Sequence, residues 1–473
     1  MKGLRAQIAL RSAGRRYREA RMSRFTDTIA ALATPAGTSA IAVLRISGVD
    51  TERIATEIFG SSPLPRRARH AAYRDRSGGP VDDVVAIFFK GPKSYTGEDS
   101  LEISCHGNPF IAQKILEDLL ARGCRSAEPG EFTQRAFLNG RMDLSQAEAV
   151  MDVIHARSER ALASAQRQLH GALGRRVGAA VEALLAVLAR IEAYIDFPDE
   201  DLPPEDRAGV IGQVKALQSD VSKLLATSHY GEMLRDGIKT VIVGRPNAGK
   251  SSLLNRMLGR ERALVSAEPG TTRDFLEERI MVGPHCLRLI DTAGLNPSPT
   301  PLEKLGMEKT WERVAEADLV MIVVDGASDG VEESVSIVEE RVESLSNALL
   351  VINKSDLTSA APQFPGLRIP SVFVSAKTGA GIETLEALIV TAADRHQADV
   401  GEDTVAINAR HAAALETVQR CLEEALDKLR GAESPELLAS DLRGALAALE
   451  QIAGRIDNER MLDHLFAGFC IGK

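Results

Sequence analysis

Short apolar runs and long apolar stripes divide the chain into regions of different texture. Between residue 25 and about residue 141, the runs Ile41-Ala42-Val43-Leu44-Arg45-Ile46, Val84-Val85-Ala86-Ile87-Phe88-Phe89 and Leu101-Glu102-Ile103-Ser104 read as strands. Pro109 to Arg122 has a helical apolar period, so this region reads as mixed α/β. Beyond it, Ser145 with Glu148 reads as a capping box. The stripe Ala147, Val150, Met151, Ile154, Leu162, Ala165, Leu169, Leu173 continues helically, and a further helix runs from about Val177 to Ile195. The acidic, proline-bearing segment Phe197 to Asp206 breaks it.

More helix then leads to a strand near Lys239. From there the runs Thr240-Val241-Ile242-Val243, Cys286 to Ile290, Leu349-Leu350-Val351-Ile352 and Val372-Phe373-Val374 each end on a polar turn. After about residue 395 helical stripes return, at Leu415, Val418, Leu422, Ala425, Leu429 and again at Leu438, Leu442, Ala445, Leu446, Leu449, Ile452. The economical architecture is multidomain, α/β plus α. An α/β domain spans 25–141, a helical bundle is split into halves at 142–236 and 396–473, and a second α/β domain, 237–395, is inserted between them.

The inserted domain carries the chemistry. Gly244-Arg245-Pro246-Asn247-Ala248-Gly249-Lys250-Ser251-Ser252, directly after a strand, fits the phosphate-loop pattern GxxxxGK[ST]. Its glycines let backbone N–H groups face phosphate oxygens, and a helix starting near Ser251 adds its positive dipole end. Lys250 reaches the outer phosphates, and Ser251 offers Mg²⁺ a hard oxygen. Thr272, in Pro269-Gly270-Thr271-Thr272-Arg273-Asp274, is the second hydroxyl for Mg²⁺ and a sensor of the γ-phosphate. In Asp291-Thr292-Ala293-Gly294, Asp291 supports the metal shell and the Gly294 N–H faces the γ-phosphate.

Asn353-Lys354-Ser355-Asp356 selects the base. A carboxylate such as Asp356 accepts from the N1–H and exocyclic amine of guanine, and adenine offers no matching donor pair. Ser375-Ala376-Lys377 is expected to bring backbone N–H groups near guanine O6. Five such segments in order point to a P-loop GTPase of Ras-like type. Leu295 follows Gly294, where many small GTPases carry a glutamine that orients the attacking water. An isobutyl group cannot do that, so positive charge and water positioning must come from elsewhere. An arginine finger sets the scale of that contribution at roughly 10³ to 10⁵ in rate. Asn247 and Ser266-Ala267-Glu268-Pro269-Gly270, with Thr271, are placed in sequence to hold a monovalent cation beside the phosphates.

Composition narrows the setting. With 473 residues there is room for about three domains, and a net charge of −9 argues against polyanion binding by the whole surface. Any nucleic-acid contact therefore needs a local basic patch. The five cysteines, Cys105, Cys124, Cys286, Cys421 and Cys470, have no metal spacing, which fits a reducing compartment. The first four read as small buried hydrophobes. No apolar run approaches the roughly 18 residues of a membrane span. Residues 1–24 hold eight Lys or Arg against the single acid Glu19. This stretch is a disordered basic extension, an upstream start before Met22, or an organelle transit peptide. Localisation is accordingly expected to be cytoplasmic, with an organelle as the alternative.

These segments and others outside the inserted domain resemble the MnmE (TrmE) tRNA-modification GTPase family from about Asp27 to Lys473. The further matches are Asp27-Thr28-Ile29-Ala30-Ala31, Leu44-Arg45-Ile46-Ser47-Gly48, Tyr95-Thr96-Gly97-Glu98-Asp99, Pro129-Gly130-Glu131-Phe132-Thr133, Ala136-Phe137-Leu138-Asn139-Gly140, Ile195-Asp196-Phe197-Pro198 and the terminal Phe469-Cys470-Ile471-Gly472-Lys473. The resemblance implies a tetrahydrofolate-binding-like amino-terminal domain that forms a homodimer around 5-formyl-tetrahydrofolate. Arg45, Glu102 and Arg141 fall on its pocket positions, and Lys473 on the motif that closes it. A carboxylate such as Glu102 suits the pterin edge, and a cation such as Arg45 suits the glutamate tail. Arg141 stands where the family often has lysine, and Gly37-Thr38-Ser39-Ala40 is less glycine-rich than usual.

The resemblance also implies GTPase domains that approach each other on binding GTP and K⁺, and an FAD-dependent MnmG (GidA) partner in a heterotetramer or larger assembly. The implied product is a wobble uridine of tRNA carrying carboxymethylaminomethyl or aminomethyl at carbon 5. The chain has no dinucleotide fingerprint of its own, consistent with flavin chemistry on the partner. By the same resemblance Glu303 positions the hydrolytic water, although by residue type alone it is one of several solvated carboxylates. The linker Leu295 to Pro301 before it is richer in proline than the family pattern. Cys470 reads either as a thiol of lowered pKa that acts as nucleophile or acid, or as a buried anchor of the last helix. A ribosome-assembly GTPase would share the nucleotide segments but has no use for the Phe469 to Lys473 tail. A folate-dependent scaffold that binds GTP without turnover is the third reading.

Overall fold

The computed structural model describes residues 27–196, 204–261, 278–290, 311–328, 347–358, 369–398, 405–431, 434–454, 465–466, 468–470 and 472. Two compact units emerge: Met1–Met151 with Gln168–Gln218 and Thr417–Lys473, and Asp152–Arg167 with Ser219–Glu416.

The first unit begins with β1 (Ile29–Leu32), β2 (Ile41–Ser47), α1 (Thr51–Phe59), β3 (Arg69–Arg74), β4 (Pro80–Phe89), β5 (Ser100–His106), α2 (Pro109–Ala121), β6 (Arg125–Ser126) and α3 (Glu131–Leu138). Its sheet runs β3-β4-β5-β2-β1-β6, antiparallel except for the parallel β1–β6 pair. Along β2, Ala42, Leu44 and Ile46 are buried and pack in one core with Ile54 and Ile58 of α1 and Ile115 and Leu119 of α2. Strand side chains alternate between faces, so Arg45 lies on the face turned away from that core. Register then sets Arg45 opposite Glu102 of β5.

The helices α4 (Leu144–His155), α5 (Glu159–Leu169), α6 (Ala172–Asp196), α7 (Pro204–Leu225) and α8 (Ser228–Asp236) follow. The stripe expected to run unbroken through this region is cut at Ser158, whose hydroxyl accepts from the Ala161 N–H at 3.1 Å. The capping box is also two residues earlier than expected. Asp143 Oδ1 accepts from the Gln146 N–H at 2.8 Å, and Gln146 Oε1 accepts from the Asp143 N–H at 3.0 Å. An aspartate accepts as well as a serine does, and Ser145 spends its hydroxyl on Asp143 Oδ1 at 2.7 Å.

Next come β7 (Ile238–Val243), α9 (Lys250–Glu261), β8 (Glu278–Val282), β9 (His285–Ile290), β10 (Leu319–Asp325), β11 (Ala348–Asn353), β12 (Ser371–Phe373), α10 (Ile382–Ala398), α11 (Ala409–Gly431) and α12 (Pro435–Ala453). In the first unit α12 packs along α6, which joins helices from before and after the inserted sheet. Leu184, Leu188 and Ile191 are buried on α6, as are Leu442, Ala445 and Leu449 on α12.

The second unit is built on the sheet β12-β11-β10-β7-β9-β8, parallel except at the β8 edge. All six residues of β11 are buried. Alternate ones enter two cores, Leu349 and Val351 with Leu253 and Met257 of α9, Leu350 and Ile352 with Val320 and Ile322 of β10. A sheet covered on both faces reads as a continuous apolar run, and loops at the carboxyl ends of its strands are left to carry function. Among the described residues no helix is long and apolar enough to cross a membrane.

Candidate functional site

Three loops leave the carboxyl ends of β7, β11 and β12, and side chains bind them to one another. The first joins β7 to α9. Gly244 takes φ 155° and Gly249 φ 93°, and a Cβ would lie 2.1 Å from the Val323 carbonyl oxygen at the former and 2.1 Å from Asn353 Nδ2 at the latter. Only glycine fits at those two points. Asn247 is exposed in a left-handed conformation at φ 65°. Lys250 Nζ donates to the carbonyl oxygens of Gly244 at 2.9 Å and Arg245 at 3.0 Å, curling over its own loop. Burial pulls its pKa below the ordinary lysine value. Neutral carbonyls offset that desolvation only in part, so the ammonium is poised for an anion. Ser251 and Ser252 lie exposed in the first turn of α9.

Asn353, at the end of β11, is 2% exposed and touches all three loops. Its Nδ2 donates to the Ala248 carbonyl at 2.9 Å, and its Oδ1 accepts from the Ala376 N–H at 3.0 Å. Lys354 is left-handed at φ 63° and pairs through Nζ with Asp325 Oδ2 at 2.6 Å. Ser355 opens a short 3₁₀ turn. Asp356 Oδ1 accepts from the buried Ser375 hydroxyl at 2.6 Å, and that bond holds its pKa below the usual carboxylate value. The structure therefore brings Asn247, Ala248, Gly249, Lys250, Asn353, Asp356, Ser375, Ala376 and Lys377 into one constellation. Ser266, Ala267, Glu268, Pro269, Gly270, Thr271, Thr272, Asp291, Thr292, Ala293, Gly294 and Glu303 lie outside the described residues, as does Lys473.

Arg256, which sequence reading passed over, also belongs to the constellation. Its Nε donates to the Ala376 carbonyl at 2.8 Å, and Nη2 bonds the Lys377 carbonyl. A helical arginine six residues past the phosphate-loop lysine has no motif to mark it, since the partner loop lies far along the chain.

In the first unit Arg45 and Glu102 bond to each other. The ion pair is 2.9 Å long, with side-chain exposures of 15% and 31%. The Arg45 guanidinium also lies 5.3 Å from the Tyr95 ring centroid and 5.6 Å from that of Phe132, and Nη1 donates to the Gly472 carbonyl at 3.2 Å. The carboxy-terminal motif thus reaches Arg45. It is held there by close approach, since a Cβ on Gly472 would sit 2.4 Å from the Leu32 carbonyl oxygen. Phe466 and Phe469 pack with Leu144 and Ala147. Arg141 is exposed beside Gly97.

Missed in the sequence is an ion network with Arg135 and Glu131 buried at its centre. Arg135 is 1% exposed and bonds Glu131 at 2.9 Å, Asp27 at 2.7 Å and Glu98 at 3.3 Å. Arg125 bonds Glu131 at 2.6 Å and Asp27 at 2.7 Å. Glu98 in turn accepts from the Ser47 hydroxyl at 2.8 Å. Desolvation by itself would raise the Glu131 pKa, but the bonds from Arg125, the Glu128 N–H and Arg135 outweigh it and the net shift is downward.

Cys105, Cys124, Cys286 and Cys421 are buried, and burial raises each thiol, Cys124 to about 12. Thiols shifted that way are inert at neutral pH. Cys470 is exposed, which removes its reading as a buried anchor. Phe466 and Phe469 occupy the anchoring role instead.

A phosphate loop on a parallel sheet, with a carboxylate and an amide loop set for guanine, defines the class: a P-loop GTPase domain carried within a larger α/β and helical chain. Two family models match, "GTP-binding protein TrmE N-terminus" over residues 28–141 and "MnmE helical domain" over residues 144–470. The tRNA modification GTPase MnmE of Opitutus terrae is 59% identical over 453 residues, covering 94% of this chain and 99% of that protein. The proteins of the same name from Akkermansia muciniphila and Symbiobacterium thermophilum are 43% and 40% identical, each with 94% of this chain and 99% of the relative covered. The chain belongs to the MnmE family of tRNA modification GTPases, and GTP hydrolysis, with Mg²⁺, is its chemistry.

Proposed function

We propose that this chain is a K⁺-activated GTPase which, with an FAD-dependent MnmG (GidA) partner, modifies the wobble uridine of certain tRNAs at carbon 5, using a tetrahydrofolate one-carbon unit. Family membership over nearly the whole chain supports the reaction. The observation that carries the nucleotide assignment is Asn353, which joins the phosphate loop to the loop holding Asp356 through Ser375.

Each residue has a role in this reading. Lys250 neutralises the outer phosphates, and its desolvated ammonium gains most from a polyanion. Mg²⁺ takes the Ser251 hydroxyl, with Thr272 as second hydroxyl and Asp291 behind it. Among the described residues no three His, Cys, Asp or Glu gather as a metal cage. Asn247, Ser266, Glu268 and Thr271 hold K⁺, which supplies the charge that Leu295 cannot help to organise. Ala248, Gly249 and Ser252 contribute loop and helix amides, Thr292, Ala293 and Gly294 face the γ-phosphate, and Glu303 positions water. Lys354, Ser355 and Asp356 with Ser375, Ala376 and Lys377 enclose guanine. The remaining stretch Ala267, Pro269 and Gly270 shapes the cation loop.

Arg45, Glu102, Arg141 and Lys473 form the folate pocket of a cytoplasmic homodimer, with Cys470 exposed beside it as a nucleophile or acid. The GTPase domain, 237–395, is the insert between helical halves. In this reading the Arg45–Glu102 pair opens to ligand, each partner exchanging the other for a pterin or glutamate group.

The direct test is GTP turnover in KCl against NaCl. Turnover is expected to rise by orders of magnitude in KCl, and Asn247→Ala to lose that response. A flat response in the unaltered protein removes the cation assignment. Unchanged wobble nucleosides by mass analysis after gene deletion remove the tRNA assignment and favour ribosome assembly.

A further inference from the structure

The loop Ser375-Ala376-Lys377 offers several backbone N–H groups to guanine, and its hydrogen bonds distinguish among them. The Ala376 N–H is already committed to Asn353 Oδ1 at 3.0 Å. The Thr378 N–H donates to Ser375 Oγ at 3.1 Å. Among the described residues the Lys377 N–H has no acceptor. Its direction is set by its own peptide plane, which it shares with the Ala376 carbonyl. In a trans peptide the C=O and N–H point opposite ways, and this bond is trans. Arg256 Nε holds that carbonyl at 2.8 Å on the α9 side, so the Lys377 N–H is turned away from α9. Arg256 Nη2 holds the next carbonyl, that of Lys377, and so fixes the plane whose N–H meets Ser375 Oγ. Ser375 Oγ is the group that aims Asp356, at 2.6 Å.

We propose that Arg256 is a positioning residue for base recognition: by gripping two successive carbonyls it turns the Lys377 N–H toward guanine O6 and, through Thr378 and Ser375, steadies Asp356. The planar guanidinium suits two acceptors at fixed separation, where an ammonium would act as a point charge. Because Arg256 stands on the helix that begins at Lys250, the same helix serves both ends of the nucleotide, phosphates at its first turn and base loop at its second. This inference rests on the guanine reading of residues 353–356 and 375–377.

The test is displacement of a fluorescent GDP analogue from the full chain by GDP and by 6-thio-GDP, whose sulfur accepts hydrogen bonds weakly but whose N1–H and 2-amino groups are intact. The unaltered protein is expected to prefer GDP. Arg256→Ala is expected to lose about tenfold in GDP affinity, equivalent to about 1.4 kcal/mol, and most of the preference for oxygen over sulfur. Arg256→Gln, which keeps one donor group, falls between and serves alone if the alanine variant misfolds by circular dichroism. The proposal is overturned if the unaltered protein shows no preference, if a folded variant keeps both affinity and preference, or if both nucleotides weaken equally. Asp356→Ala separates the two levels. If it leaves guanine preferred over adenine, the base-site reading itself fails; if it abolishes that preference while Arg256→Ala does nothing, only the role of Arg256 falls.

Discussion

Two desolvated cations, the buried Arg135 in the amino-terminal domain and the half-buried Lys250 in the phosphate loop, are treated in opposite ways. Arg135 is surrounded by carboxylates of Asp27, Glu98 and Glu131, so its charge is neutralised by the fold. Among the described residues Lys250 Nζ meets the carbonyl oxygens of Gly244 and Arg245 and no carboxylate. A cation matched inside the chain holds structure together, whereas a cation given only dipoles retains affinity for an anion from outside. The difference separates residues that build a site from residues that act in it.

Replacing each cation by methionine separates the two roles. Lys250→Met is expected to reduce GTP turnover by about 10³, on the scale of losing one charge at a transferring phosphoryl group. Stability should be unchanged or slightly raised, because an under-compensated, half-buried ammonium is removed. Steady-state kinetics with a urea midpoint checks both halves. A loss of stability matching the loss of turnover would show that Lys250 is structural after all.

Arg135→Met should do the reverse, costing about 3–5 kcal/mol in the amino-terminal domain because Glu131 is left buried without Arg135. Hydrogen exchange of the β1 and β2 amides measures it. Acid should mimic the variant. Glu131 and Asp27 both have folded pKa values below their ordinary ones. Their contribution is thus full above the unfolded carboxylate pKa of about 4 and is lost as pH falls through the lower folded values. Protection that is constant from pH 7 to pH 3 would deny the network its role.

The smallest effect is expected at Ser375→Ala, which removes the hydroxyl that aims Asp356 without touching a phosphate contact. KM for GTP should rise about threefold to tenfold, the worth of one ordinary hydrogen bond to the exposed Asp356, with kcat nearly unchanged. A fall in kcat at constant KM would place Ser375 with the catalytic groups rather than with the base site.

The nucleotide loops were legible because they are local. Glycines at 244 and 249, a lysine and a serine in fixed spacing need no distant partner to be recognised. Asp356 and Ser375 were singled out for the same reason, each at the end of an apolar strand. Arg256 and the Arg135 network escaped, since an isolated arginine on a helix gives no sign of which carbonyl or carboxylate it will meet. Serine with a glutamate three residues on is the stronger written signal for a capping box at Ser145, but Asp143 and Gln146 make the bonds. The helical stripe from Ala147 to Leu173 hid the break at Ser158, where a side-chain cap begins a new helix without interrupting apolar spacing.

The class of ligand, the order of the loops that meet it and the alternation of sheet and helix are written along the chain, because they rest on spacing within a few residues. Which charges are consumed internally depends on packing between distant segments. Arg45 meets Glu102 through strand register and Gly472 across 427 positions of chain. Asn353 reaches Ala248 across 105. Contacts of that range depend on how elements pack, and hydrogen-bond geometry, unlike a motif, has no representation along a single strand of residues.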